Sequence, residues 1–318
     1  MISISRLLRS DAVFLAFMVL SAAGCTRQAT PLSRSVDPFI GTGGHGHTYP
    51  GATVPFGMVQ LSPDTRLDGW DGCGGFHITD DVVYGFSHTH LQGTGVSDYG
   101  DVLLMPTVGQ LDTGEVWRER YRDRFVEGSQ EAHAGYYRCE LERSGLQVEL
   151  TASDRVGYHR WTLEQRDTLQ LIVDLDHRDE LINYGMYPLD DSTLVGQRVS
   201  DNWAEEQHVY FAMRFNRPFE WLDQMAELET IDVGGVLEQE LSFVPIFSLV
   251  FKDVESIEAR VSLSFVDIAG AVNNLNAEAP LAVGFDAARG TAERRWDEAL
   301  GRIEISEDDL GERAVFYT

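Results

Sequence analysis

Five histidines, His45, His47, His77, His88 and His90, fall within one Gly- and Asp-rich stretch, residues 37–109. Clustered imidazoles could hold a metal ion, and His88-Thr89-His90 would set two rings on one face of a strand. No ordered zinc-ligand spacing accompanies them, so the residues favour histidines that are partly buried and hold loops together. Long glycine-rich loops cost chain entropy, and they usually persist where the backbone approaches a ligand or takes unusual dihedrals. Tight turns on a sandwich are the alternative. Trp70, set between glycine and aspartate, is a candidate platform beneath a sugar ring; a half-buried loop anchor is the competing role. Residues 41–46 read GTGGHG. They carry no lysine at a P-loop position and lie in no βαβ context, so phosphate binding is not indicated.

The elements that must position these loops are mainly strands. Gln147–Thr151, Val156–Leu163, Leu169–Leu175, His208–Phe215, Val236–Phe243, Phe247–Phe251 and Ile257–Phe265 alternate apolar and polar residues between polar turns. That pattern predicts an antiparallel β-sandwich. The period changes near residue 268. Phe285, Ala288, Ala292, Trp296 and Ala299 or Leu300 recur at three- and four-residue spacing, which predicts an amphipathic helix over about 286–302 with Asp286 or a neighbour as its cap. The apolar run Ala314–Thr318 stops abruptly, as a fragment would.

The chain has 318 residues, 43% hydrophobic, which is enough to bury a core. Its 51 acidic and 25 basic residues give a formal net charge of -26. Such a surface repels phosphate backbones and argues against nucleic-acid partners, but it tolerates neutral ligands and could attract divalent cations. At the N-terminus, Arg6 and Arg9 precede an apolar run from Ala12 to Leu20 that is too short to span a bilayer comfortably. Ala22-Ala23-Gly24-Cys25 has the form of a bacterial lipoprotein processing box. It predicts lipidation at Cys25, a polar tether behind it and a lipid-anchored protein of the bacterial cell envelope, periplasmic or cell-surface. Cys73 and Cys139 could pair in such a compartment or remain two buried thiols.

Several segments carry a specific resemblance: VDPFIGTGGHGHTYPGATVPFGMVQLSPD, GWDGCGGF, YGFSHTHLQGTGVSDYGDVLLMP, VELTASDRVGYHRW, Asn202-Trp203 leading to VYFAMRFNRPF, and VSLSFVDIAGAVNNLNAEAP. Their order along about residues 36–318 resembles glycoside hydrolase family 92, the exo-α-mannosidases. Val96 departs from a cysteine common in that family, and Asp267 from a small polar residue. The resemblance implies a β-sandwich followed by a linker helix and the truncated onset of an (α/α)6-type helical domain. The expected division is a signal peptide over 1–24, a tether over 25–35, the sandwich over 36–267, and linker helices with the start of the helical domain over 268–318.

The implied activity is calcium-dependent, inverting release of mannose from α-mannosides or N-glycans. That chemistry needs a protonated carboxyl near the leaving oxygen and an ionised carboxyl activating water, about 6.5–9.5 Å apart. The family motif FYTALYH opens an early helix of the helical domain, and this sequence ends within it at Phe316-Tyr317-Thr318. The acid, the base and the Ca2+ ligands are therefore expected beyond residue 318, in the missing C-terminal domain, and this stretch alone is expected to be inactive. By resemblance Trp70 packs against sugar, and Gly43, Gly44 and His47 form a loop wall. Asp98 and Asp101 bond sugar hydroxyls or their own glycine loop. A stand-alone carbohydrate-binding sandwich without catalysis is the competing function.

Overall fold

The structure is a computed structural model and describes residues 30–67, 69–109, 121–222, 224, 226–233, 236–306 and 309–318. The expected signal peptide and Cys25 lie outside the described residues. Within them, no helix is long and apolar enough to cross a membrane.

Two 19-residue strands, Val156–Asp174 and Ile246–Ser264, form the spine of a twelve-stranded, curled antiparallel sheet. The spine strands pair with each other along most of their length, with register shifts around Val254. On one side, Leu103–Val108 pairs with the C-terminal half of Val156–Asp174, and Gln147–Ala152 with its N-terminal half. On the other, Ile246–Ser264 takes Glu220–Leu222 along its first half and Gln207–Phe215 along its last. The sheet continues through Thr193–Asp201 to an outer strand, Glu180–Pro188. Each spine strand thus serves two layers.

This explains a difference from the sequence reading, which divides each spine strand in two. Residues 164–167 are exposed and polar, as are Lys252 and Asp253, so the alternating pattern breaks there. The backbone continues through the break because its ladder partner continues too. Irregularity in the pairing lets a long strand bend from one layer into the other.

Two apolar clusters follow from the curl. The larger is enclosed by the sheet itself and contains Trp161, Leu171, Val173, Phe211, Leu249 and Leu263. The smaller lies between the sheet and two helices, α1 (Ile268–Glu278) and α2 (Phe285–Leu300), where Val156, Val195 and Ala212 meet Leu275, Phe285 and Ala288. Asp267 is the N-cap of α1 and accepts a 2.5 Å hydrogen bond from the Gly270 amide. The departure from the family pattern at this position therefore still supplies a capping oxygen.

Helix α2 buries Phe285, Ala288 and Ala292, the first part of the predicted stripe, while Trp296, Ala299 and Leu300 are half-buried. Its cap differs from the expectation. Gly284 is the N-cap without a side-chain bond, and Asp286 sits in the first turn, where it accepts from Arg160 Nη1 at 3.0 Å. Trp296 Nε1 donates to the Thr53 carbonyl at 2.7 Å, and Arg295 makes a two-pronged pair with Asp154. These bonds fix the helix against the loop that follows Gly51. A third helix, α3 (Leu310–Tyr317), is capped by Asp309 and buries Tyr317 while exposing Val315 and Phe316. Cys73 and Cys139 are free and buried, so the thiol alternative holds.

Candidate functional site

Three glycine-rich loops, around residues 41–47, 69–75 and 93–101, converge on Trp70. Gly69 takes a φ of 86° and starts the short 3-10 turn Trp70–Gly72. The indole is 61% exposed. The His47 ring stands edge-on to it, with centroids 5.1 Å apart. On another side is Gly95, where an added Cβ would come within 2.5 Å of the indole. A glycine is required there twice over, by that contact and by a φ of 82°. His45 Nδ1 meets Asp71 Oδ1 at 2.8 Å, and this bond holds the Asp71 carboxyl below its ordinary range. The Gly93 amide donates to the His47 carbonyl, and His77 Nε2 meets the Gly44 carbonyl. Gly43 abuts Ile78. The structure therefore sets His47 against Trp70, while Gly43 and Gly44 lie in the same loop against Ile78 and His77.

Asp98 and Asp101 lie beneath this rim, buried, with their oxygens bonded to protein groups. Asp98 accepts from the amides of Tyr99 and Ala204 at 2.8 and 2.7 Å. Asp101 is fully buried and accepts from Arg198 Nη1 at 2.6 Å, Thr89 Oγ1 at 2.6 Å and Gln207 Nε2 at 2.9 Å. Only the Tyr99 amide belongs to the aspartates' own glycine loop; the other bonds tie that loop to Thr89, Arg198, Ala204 and Gln207.

Sequence reading missed the two residues that organise the rim. Arg178 donates to the carbonyls of Arg66, Gly72 and Cys73 and to Ser97 Oγ, which ties the Trp70 turn to the 93–101 loop. Its aliphatic part fits against Gly100, where a Cβ would intrude to 2.8 Å. Arg198 in turn donates to the carbonyls of Arg178 and Leu175, to Ser200 Oγ and to Asp101. Both guanidinium groups are buried in a chain of strongly negative charge. A buried arginine must find acceptors inside, but the strand that bears Arg198, TLVGQRVSD, is polar enough to hide its burial.

Asp179 is also absent from the sequence-based candidates. It takes a φ of 64°. It accepts from the Tyr99 amide at 3.0 Å and from Asn202 Nδ2 at 3.0 Å. Burial raises its carboxyl pKa to about 6. The Asn202 bond and the Arg198 charge oppose that rise, while the adjacent Asp98 adds to it. Asp98 and Asp179 thus form a close carboxyl pair under the rim.

Deeper still, the histidines are engaged one by one. His88 Nδ1 meets the Val102 carbonyl at 2.7 Å, and its Nε2 meets His159 Nε2 at 3.0 Å. Burial lowers His88 to about 4 and His159 well below its ordinary value, so this pair is neutral. His90 contacts the Gln60 carbonyl, Ser87 Oγ and Asp64. Burial alone would raise Asp64, but the charges of His90 and His177 outweigh it and hold the carboxyl far below its usual range. Among the described residues, no group of three or more His, Cys, Asp or Glu side chains is arranged to hold a metal ion. The Ca2+ ligands that the resemblance implies are expected beyond residue 318, not among these residues.

Residues 35–264 match the Glycosyl hydrolase family 92 N-terminal domain, and the chain belongs to that family. It is similar to the α-mannosidase BT3965 of Bacteroides thetaiotaomicron, whose structure was solved with mannoimidazole. That likeness has 29% identity and a TM-score of 0.78, covering 91% of this chain and 39% of that one. A second solved structure, the family 92 glycosyl hydrolase ccman5, matches at 26% identity and a TM-score of 0.74, over 90% of this chain and 40% of that one. An uncharacterized secreted glycosidase of Arthroderma benhamiae is 27% identical over 303 residues, 86% of this chain and 38% of the relative. The chain spans about two-fifths of the length of the relatives it matches.

Proposed function

We propose that this chain supplies the sandwich part of an exo-acting, inverting α-mannosidase, and that Trp70 and its loop wall close the pocket for the terminal sugar. The observation that carries this reading is the exposed indole at a three-loop convergence in a family 92 domain 29% identical to an α-mannosidase. An exposed tryptophan offers apolar area to the C–H face of a sugar while polar neighbours meet its hydroxyl edge. Gly43, Gly44 and His47 wall the pocket, and Asp98 and Asp101 brace the neighbouring 93–101 loop from below. The general acid, the general base and the Ca2+ ligands belong, on this reading, to a helical domain outside this sequence. Mannose-containing glycans are the partners. Cys25 carries the lipid anchor, in a bacterial envelope protein whose mature chain lies outside the cytoplasm.

The test is turnover of aryl α-mannosides and α-mannobiose by the full-length protein, before and after calcium chelation, with the stereochemistry of the released sugar followed by NMR. Release of β-mannose that stops on chelation and returns with Ca2+ supports the reading. Binding of α-mannosides without turnover would instead favour a non-catalytic carbohydrate-binding sandwich. Replacing Cys25 with serine should release the protein from membranes or block its processing; absence of lipid on the wild type would refute the anchor.

A further inference from the structure

A second large aromatic residue stands close to the Trp70 rim. Trp203 is 61% exposed, the same fraction as Trp70. Its turn is fastened to the loop that touches Trp70. Asn202 Nδ2 donates to the Ser97 carbonyl at 2.6 Å, and the Ala204 amide donates to Asp98 at 2.7 Å. Gly95, two residues before Ser97, is in contact with the Trp70 ring. Two residues span at most about 7 Å, so both tryptophans are anchored to one short segment.

The fastening is unusual for a surface turn. Asp179, Tyr99 and Glu206 all take positive φ without being glycine. Each such conformation is sparsely populated and persists only where surrounding bonds enforce it. For Tyr99 and Asp179 the enforcing bonds come from Asp98, Asp179 and Asn202, and the Glu206 amide donates to Asp201 Oδ1 at 3.3 Å. A largely exposed indole gains little for folding, yet the turn that bears it is fastened on both sides of the indole. Such an arrangement suits a pre-formed platform for an amphipathic ligand. The chain's formal net charge of -26 favours a neutral ligand.

We infer that Trp203 is a second sugar-stacking platform, which receives a further ring of a neutral oligosaccharide whose terminal ring packs on Trp70. This rests on the reading of Trp70 given above and extends it from a single sugar to a chain of at least two. Asp98, Asp179 and Asn202 act as positioning residues for the Trp203 turn.

The experiment uses the full-length protein carrying 5-fluorotryptophan, with the Trp70 and Trp203 resonances assigned by Trp70→Phe and Trp203→Phe. Methyl α-mannoside, the non-hydrolysable sulfur-linked analogue of α-mannobiose (mannobiose below) and a control disaccharide, cellobiose, are titrated in turn. The mannoside monomer should shift the Trp70 signal alone, and the mannobiose should shift both. Trp203→Ala should raise the Kd for mannobiose about tenfold, and Trp203→Phe should recover most of that loss. A Trp203 signal unmoved by either disaccharide overturns the inference, as does a Trp203→Ala variant that weakens monomer and dimer equally. If cellobiose shifts Trp203 while no mannoside binds, the platform stands and the mannoside reading falls. If mannosides are hydrolysed with Trp203 silent, the reverse holds.

Discussion

The spine of the sheet and the loop layer above it satisfy their backbones in opposite ways. Along Val156–Asp174 and Ile246–Ser264, the backbones pair with neighbouring strands over most of their length, and both ends of each strand are buried in the core. In the loop layer, carbonyls at Arg66, Gly72 and Cys73 are met by one guanidinium more than a hundred residues away, that of Arg178. Stability in the sheet is spread over many apolar contacts. In the loops it is concentrated in a few buried charged groups. A truncation in the sheet should therefore lower stability without rearranging the loops, while the loop layer should change shape when a charged member is removed.

The sharpest break should come from Arg198→Ala. It leaves Asp101 buried without its ionic partner and frees the Arg178 carbonyl. Removing one member of a buried pair costs about 3–5 kcal/mol, so urea unfolding should show a loss of that order. Near-UV circular dichroism should also change as the Trp70 turn loosens. An aliphatic truncation in the spine, such as Leu171→Ala, falls in an overlapping range of about 2–5 kcal/mol. It should leave the near-UV tryptophan signal of the remaining folded protein intact. Equal spectral change in both variants would remove the distinction between the regions.

Acid and base should separate the two regions next. His88 and His159 have depressed pKa values through burial, so their contribution is present above the ordinary histidine value of 6.5 and is lost as pH falls towards about 4. Asp179 is raised to about 6, so its contribution is present below its ordinary value of 3.8 and is lost as pH rises through about 6. The interior should therefore weaken on acidification and the carboxyl pair on alkalinisation. The Tm difference between wild type and Asp179→Asn should change between pH 4 and 7 in the direction that favours the variant at higher pH. A difference independent of pH would show that Asp179 keeps its ordinary pKa.

Smaller effects should follow from single contacts. Gly95→Ala meets both a positive φ and the Trp70 ring. It should cost about 1 kcal/mol of stability and shift the tryptophan emission, because the indole must move aside. Asp267→Ala removes the cap of α1, at a cost of about 1 kcal/mol, and Asp267→Ser should restore most of it. Neither effect of Asp267 should reach the tryptophan spectrum, since α1 packs on the opposite side of the comparison, against the strands.

The same contrast explains what was legible in the sequence. The strands and α2 announce themselves by period, and the α2 stripe is the observed one from Phe285 through Ala288 to Ala292, beyond which Trp296 and Leu300 are only half-buried. The two spine strands were read as four because exposed polar residues interrupt alternation without interrupting the ladder. Gly43, Gly44, His47 and Trp70 could be grouped because glycine density marks close backbone approach. Arg178, Arg198 and Asp179 could not. Their partners lie in distant segments, and no local spacing records a bond that the fold alone brings about. Asp98 and Asp101 were visible as carboxylates, but their acceptor capacity is taken up by groups such as Ala204 and Arg198 that sequence order hides.

The central claim is that the loop layer exists to present Trp70 to a sugar. Trp70→Ala in the full-length protein tests it when thermal unfolding and kcat/KM on an α-mannoside are measured side by side. The account predicts a Tm close to wild type, because the indole is 61% exposed, and a fall in kcat/KM of at least about tenfold, equivalent to roughly 1.4 kcal/mol of transition-state stabilisation. A loss of about 3–5 kcal/mol in stability with kcat/KM unchanged at low temperature would contradict it and leave Trp70 as a structural anchor.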